Sequence, residues 1–272
     1  MLQSCCGILF VAAVLAASHR FPAIDLLRFP LAWIGVLVAL DGLARWRRGH
    51  SPLRSPADLL AAAAASVVFW DVFELVNLRL RNWWYAGVSP SPLAGGIFAA
   101  VSFATVLPAV RLGLAQLEGA APRAAGHRRL KAGAAAGMLL VALALPRYAF
   151  PLAWIFLWPL CEALAGVRVP LRVMALGLPL GLLWESLNWR CARGWFYTVP
   201  FFDRPKLFEM PLPGYLGYLP FALEAAGALA VLDRARPHLK GGKGALALCA
   251  VALLHVLSEH LTRGQTVVSF SR

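Results

Sequence analysis

Apolar residues run through this chain in long blocks, interrupted by short polar connectors. A transmembrane helix needs about 20 mostly apolar residues, or about 17 at the short end. Nine segments approach that length: 2–18, 29–44, 57–78, 92–116, 132–146, 149–166, 170–189, 211–232 and 244–262. The first and fifth are the shortest. Met1–Cys6 carries no basic residue, unlike the n-region of a secretory signal, so the first segment is expected to stay as a helix. The pattern predicts an all-α, polytopic integral membrane protein with eight or nine spans.

Composition agrees: 60% of the 272 residues are hydrophobic and 14% charged, too little polar sequence to coat a soluble core. The formal net charge is +13, from 26 Lys and Arg against 13 Asp and Glu. Most of the basic residues stand in short connectors, so the charge reports topology and contact with anionic head groups rather than nucleic acid. Connectors 45–56, 117–131, 167–172 and 233–243 hold fourteen of them and alternate in the nine-span scheme. The positive-inside rule then puts the N-terminus in the cytoplasm of a cell with a bacterial-type inner membrane. The five cysteines form no CxxC pair and suggest neither a disulfide framework nor a zinc site.

The chain also repeats itself. Phe29-Pro30-Leu31-Ala32-Trp33-Ile34 recurs as Phe150-Pro151-Leu152-Ala153-Trp154-Ile155, 121 residues later, and at the same spacing Asp41 meets Glu162. Glu74-x-x-Asn77-x-Arg79 recurs as Glu185-x-x-Asn188-x-Arg190 after 111 residues; Trp83-Trp84-Tyr85 and Leu107-Pro108 recur as Trp195-Phe196-Tyr197 and Leu219-Pro220 after 112. Four spans per unit imply two parallel four-helix repeats, residues 1–118 and 119–235, with a last helix and tail at 236–272. A ligand cavity is expected between the halves.

Ionisable groups inside spans cost roughly 2.5–3.5 kcal/mol each on insertion scales, so they mark candidate chemistry. Asp71, Glu74 and Asn77 share one helical stripe, and Glu185 and Asn188 repeat its second part. Glu224 has no acidic counterpart; the first half has Leu112 there. Glu74 and Glu185 are the acid/base candidates, with Asp71, Asn77, Asn188 and Glu224 tuning them. Arg79, Arg81, Arg190 and Arg193 could hold an anionic head group, and Trp83, Trp84, Tyr85, Trp195, Tyr197, Tyr215 and Tyr218 could line the pocket. The opposing possibility is structural: carboxylates clamped by those arginines, and aromatics forming an interfacial belt. The loop from Tyr197 to Pro213 is either a lid over the cavity or an ordinary connector. His255-x-x-x-Glu259 could pair on one helix face, but without HExxH spacing or a second cluster no metal is expected. No cofactor is expected, and with no Walker loop ATP-driven transport is out.

The segment from Trp70-Asp71 to Asn82-Trp83-Trp84-Tyr85, with its second copy ending Gly194-Trp195-Phe196-Tyr197, resembles the lycopene cyclase membrane repeat of carotenoid pathways. That resemblance implies a helical membrane fold and acid-initiated, cofactor-free chemistry on an isoprenoid. The family's Pro-x-Glu-Glu signature is absent; Pro211-Leu212-Pro213-Gly214 stands in its region, with Glu209 ahead of the proline. Three functions follow as expectations: a cyclase- or hydratase-like enzyme acting on an isoprenoid or long-chain lipid, a small-molecule or lipid transporter, or a membrane assembly factor without chemistry. The Ala-rich stretch between Asp58 and Asp71 offers no acidic path and speaks against transport.

Overall fold

A computed structural model describes residues 1–270. The chain runs as α1 (Leu2–Ser18), α2 (Pro22–Arg48), α3 (Pro56–Leu80), α4 (Pro92–Phe103), α5 (Val106–Leu114), α6 (Arg128–Ala144), α7 (Pro146–Ala149), α8 (Leu157–Ala165), α9 (Gly177–Asn188), α10 (Tyr218–Ala235) and α11 (Gly242–Arg263). Among the described residues, six helical stretches are long and apolar enough to cross a membrane: Pro22–Arg48, Pro56–Leu80, Pro92–Leu114, Pro146–Ala165, Leu212–His238 and Gly242–Arg263. The architecture is that of a helical polytopic membrane protein.

Three of the nine expected spans come out short. α1 and α6 have 17 residues each, the latter bounded by the charged run Arg128–Lys131 and by Pro146. Segment 170–189 divides into a 3-10 turn, Leu171–Leu176, and the 12 residues of α9, because Pro170, Gly177, Pro179 and Gly181 punctuate it.

Breaks in the long stretches are repaired by side chains. Pro108 has no N–H to give to the preceding turn, and the chain opens between α4 and α5. Ser66 of α3 closes that gap, giving its hydroxyl proton to the Phe103 carbonyl (2.5 Å) and accepting from the Leu107 amide (2.9 Å). In bilayer hydrocarbon no water is at hand to do this, so irregular backbone needs a protein partner.

Short extended pairs accompany the helices of this all-α chain. β1 (Trp83–Ala86) and β4 (Gly194–Tyr197) form an antiparallel ribbon, and two-residue pairs join β2 (Arg123–Ala124) to β3 (Val167–Arg168) and β5 (Lys206–Leu207) to β6 (Met210–Pro211). Aromatic residues favour such extended pairing. The tail adds to the outer edge of β1, with the Tyr85 amide donating to Thr266 and the Val268 amide to Tyr85.

The basic connectors gather at the opposite end. Arg47 donates to the Gln116 carbonyl, Arg172 to that of Glu118 and Arg128 to that of Ala163, and Arg236 ion-pairs with Asp58. Asp41 accepts from Gln3, Arg45 and Ser51, and Glu162 from Lys131, Trp158 and the Val169 amide. The core between the two ends is largely aromatic, built around Phe29, Trp33, Trp70, Phe73, Trp154, Trp184 and Phe221.

Candidate functional site

Two buried glutamates organise the ribbon end of the molecule. α3 closes at Arg81 in the left-handed region (φ 54°). The Asn77 side chain then holds the reversing backbone, donating to the Trp83 carbonyl (2.8 Å) and accepting from the Asn82 amide (2.8 Å). This turn lays β1 back along the helix. The Trp83 indole (3.1 Å) and the Tyr85 hydroxyl (2.5 Å) thereby reach Glu74, and Trp70, one turn earlier on α3, gives a third bond (2.9 Å). All three converge on Oε1; Oε2 is buried without a protein partner.

Glu185 repeats the scheme with one substitution. Asn188 donates to the Trp195 carbonyl (2.7 Å) and accepts from its amide (3.0 Å), laying β4 back along α9. Tyr197 then donates to Glu185 (2.9 Å), while the Trp195 indole donates to the Tyr197 oxygen (3.0 Å). The remaining donor comes from another helix: the hydroxyl of Tyr218, at the start of α10, lies 2.5 Å from Glu185. Glu185 Oε2 is likewise unpartnered. Burial, with a glutamate beside each, pushes the phenols of Tyr85 and Tyr197 well above their ordinary pKa, so both stand as proton-bearing donors.

The ribbon joins the two networks. Trp83 pairs with Tyr197, Tyr85 with Trp195, and Trp84 with Phe196, the residue 112 positions later in the chain.

Arginine clamps do not form here. Arg79 donates to the Leu143 carbonyl and Arg81 to the Gln265 side chain; Arg190 lies over the Trp189 ring and Arg193 over that of Phe98. With four different destinations, the arginines do not converge on one head-group site. Indoles and phenols, not guanidinium groups, satisfy the carboxylates. Trp84 donates to Thr198 and Tyr215 to the Leu207 carbonyl, so both leave the glutamate networks.

The other acids go elsewhere too. Fully buried Asp71 faces His255 of α11, whose Nδ1 lies 3.1 Å from Oδ1 and whose Nε2 lies 3.0 Å from the Gly96 carbonyl. This pairing takes His255 away from the face-sharing partnership with Glu259 that the spacing suggests. Among the described residues no group of His, Cys, Asp and Glu is placed to hold a metal. Glu224 accepts from the Leu157 amide (2.9 Å), capping α8 where the preceding 3-10 turn, Phe150–Trp154, ends.

A cavity of about 410 Å3 opens beside Glu185. Its walls pair residues 112 apart, Val106 with Tyr218, Ala109 with Phe221 and Val110 with Ala222, and add Trp33, Trp154 and Trp184. Among the described residues no charged side chain lines it, and Tyr197 and Tyr218 are the hydroxyl-bearing residues on its wall. Neither glutamate touches the space directly; Glu185 reaches it through those two phenols, and Glu74 only through the Trp70 indole. Trp33, Trp70, Trp154 and Phe221, absent from the sequence-derived site, build much of this wall. Their signal was the repeated Trp of the FPLAWI motif and the Trp one turn before Glu74.

No protein-family model, no curated protein and no solved structure matches this chain.

Proposed function

We propose that this protein binds a long-chain apolar lipid, of the isoprenoid kind, inside the bilayer and moves a proton to or from it at Glu185, Tyr218 and Tyr197. The carrying observation is the cavity itself: about 410 Å3, without a charged lining residue, its two hydroxyls both bonded to one buried carboxylate. Such a space suits a chain that leaves lipid more readily than water. Phe202 and Leu216, which line it, are 70% and 67% exposed, so its mouth is open and apolar.

In the donor direction, Tyr218 gives its hydroxyl proton to the ligand while protonated Glu185 returns one to the phenol oxygen and is left as carboxylate. The base direction is the reverse. Trp33, Trp154, Trp184 and Phe221 offer ring faces to positive charge developing on the ligand. Acid-initiated chemistry on a polyene, the activity implied by the lycopene cyclase resemblance, belongs to this class. The uncharged lining argues against an ion-coupled carrier, and the built phenol–carboxylate network against a passive scaffold.

On this proposal the chain is two parallel four-helix repeats, 1–118 and 119–235, with 236–272 appended, in a nine-span cell-membrane topology with the basic connectors and N-terminus in the cytoplasm. Matched packing supports the duplication. Trp33 meets Trp184 at 5.2 Å, and Trp154, its counterpart, meets Phe73 at 5.2 Å. The working site belongs to the second half, and Glu74 is its counterpart outside the large cavity.

The test is mass spectrometry of lipids that co-purify in mild detergent with the wild type, Glu185→Gln and Tyr218→Phe. One apolar lipid should be enriched over bulk phospholipid and should change form or amount in both variants. Bulk phospholipid alone in all three folded proteins would overturn the proposal.

A further inference from the structure

A second, smaller chamber lies on the other side of Trp70 and Trp184, which line both spaces. We infer that this chamber binds a short file of water molecules and passes protons to Glu74 through Tyr85, with Glu259 as the carrier at its α11 wall. This does not rest on the ligand proposed for the large cavity.

The two spaces differ in chemistry. The small one has a volume of about 60 Å3, room for about four waters at the ~15 Å3 each needs. Its wall carries Tyr85, Arg193, Ser102, Thr262 and Glu259, so waters there find the two to four polar partners that buried water requires. Ser102 donates to the Phe98 carbonyl and Thr262 to that of Ser258, which leaves both oxygens free to accept. Tyr85 gives its proton to Glu74 and keeps a phenol lone pair for a water hydrogen. Behind it, outside the chamber wall, Glu74 Oε2 is buried with no hydrogen-bond partner among the described residues. The observation that points to water is a chamber of suitable size whose otherwise apolar wall carries five polar side chains; Glu74 does not line it and is reached only through the Tyr85 hydroxyl.

Glu259 is half-buried and lines the chamber, and no side chain among the described residues hydrogen-bonds its carboxylate. The charged groups around it are His255 and Arg263 on its own helix, Asp71 and Glu74 on α3 and Arg193 ahead of β4. Its proton passes to the nearest water, the file passes one on, and the last water protonates the Tyr85 oxygen as the phenol proton moves to Glu74 Oε1. One proton leaves Glu259, one arrives on Glu74, and Tyr85 and the waters end as they began.

Radiolytic hydroxyl labelling read by mass spectrometry tests this on the whole protein in nanodiscs, because radicals formed from bound water mark adjacent rings. Tyr85 should be labelled several-fold faster than Tyr197, whose chamber is apolar. Ala99→Phe, which fills the small chamber, and Ser102→Leu, which strips a polar partner, should each bring Tyr85 down to the Tyr197 rate. Glu259→Gln should leave Tyr85 labelling in place yet slow deuterium uptake at the Glu74 carboxyl, followed in the infrared against Glu74→Gln. Equal labelling of the two tyrosines in the wild type would overturn the water file. So would unchanged Tyr85 labelling in whichever chamber variant folds. Unchanged deuterium uptake in Glu259→Gln would overturn the carrier role.

Discussion

Tyr218 of α10 packs its ring onto the backbone of Gly181 in α9: a methyl group at Gly181 would fall 2.4 Å from the ring carbons. That contact lets the hydroxyl reach Glu185 at 2.5 Å. In the first half the position 111 residues earlier is Trp70, which bonds Glu74 from the same helix, and the position matching Tyr218 is Val106. The donor has moved from the acid's own helix to its neighbour, and the glycine makes room for it. The exchange also places a hydroxyl on the wall of the large cavity.

Gly181→Ala should therefore lower stability by about 1–3 kcal/mol through overpacking, and Gly181→Trp by more. Combining Gly181→Trp with Tyr218→Val rebuilds the first-half arrangement and should recover a large part of that loss. Thermal unfolding in detergent, scored as a double-mutant cycle, measures it. A double variant no better than the Gly181→Trp single would show that the two positions are not exchanged in this way.

Glu224 explains a difference between two identical hexapeptides. Pro30 sits inside the continuous helix α2, whereas Pro151 lies in a 3-10 turn that ends before α8. α8 begins with an orphan amide at Leu157, and Glu224 accepts from it, where the first half offers Leu112. Glu224→Leu should cost about 1–3 kcal/mol, the penalty of an unsatisfied buried donor. Glu224→Gln keeps an acceptor and should cost clearly less. The same detergent unfolding assay separates the two, and equal losses would count against capping.

The asparagines make the reversals that build both networks. Asn77→Ala should strand the Trp83 carbonyl and the Asn82 amide, and Asn188→Ala both groups of Trp195, each at about 1–3 kcal/mol. Because Trp83 then leaves Glu74, its indole should become accessible to acrylamide. Increased quenching in Asn77→Ala, absent from a Trp83→Phe background, is the expected result.

The spacing of Glu74 and Asn77, and of Glu185 and Asn188, was legible because side chains three apart share a helical stripe whatever the rest of the chain does. The membrane class was legible from the long apolar runs. What the asparagines and glutamates bond to was not, since Trp-Trp-Tyr reads equally as a membrane-interface belt. Only the left-handed turn at Arg81 shows that β1 doubles back. A cavity between the halves was expected, and residues of both halves line it; its position beside Glu185 alone was not legible, for a deeper reason. That asymmetry goes with a break at Pro151 that Pro30 does not make in the same local sequence, and the partner found there, Glu224, is 67 residues from the amide it caps. Asp71 was read as tuning Glu74 because they share a helix, yet its partner lies 184 residues away.

That partner holds α11 in place. The apolar stretch of α11 is only 11% buried, so little packing fixes it, while His255 joins it to Asp71 on α3 and to the Gly96 carbonyl on α4. Removing one member leaves the other buried without its partner, which typically costs about 3–5 kcal/mol. Asp71→Leu and His255→Leu should each be strongly destabilising. The double variant should be far closer to the wild type, because an apolar pair in hydrocarbon carries no unsatisfied charge. SDS-driven unfolding gives the three stabilities. Limited proteolysis in the connector before α11, residues 236–241, gives the local readout: cleavage should quicken in the single variants and fall back in the double. Singles that lose stability without faster cleavage would show the pair acting within the core of α3 rather than as the anchor of α11.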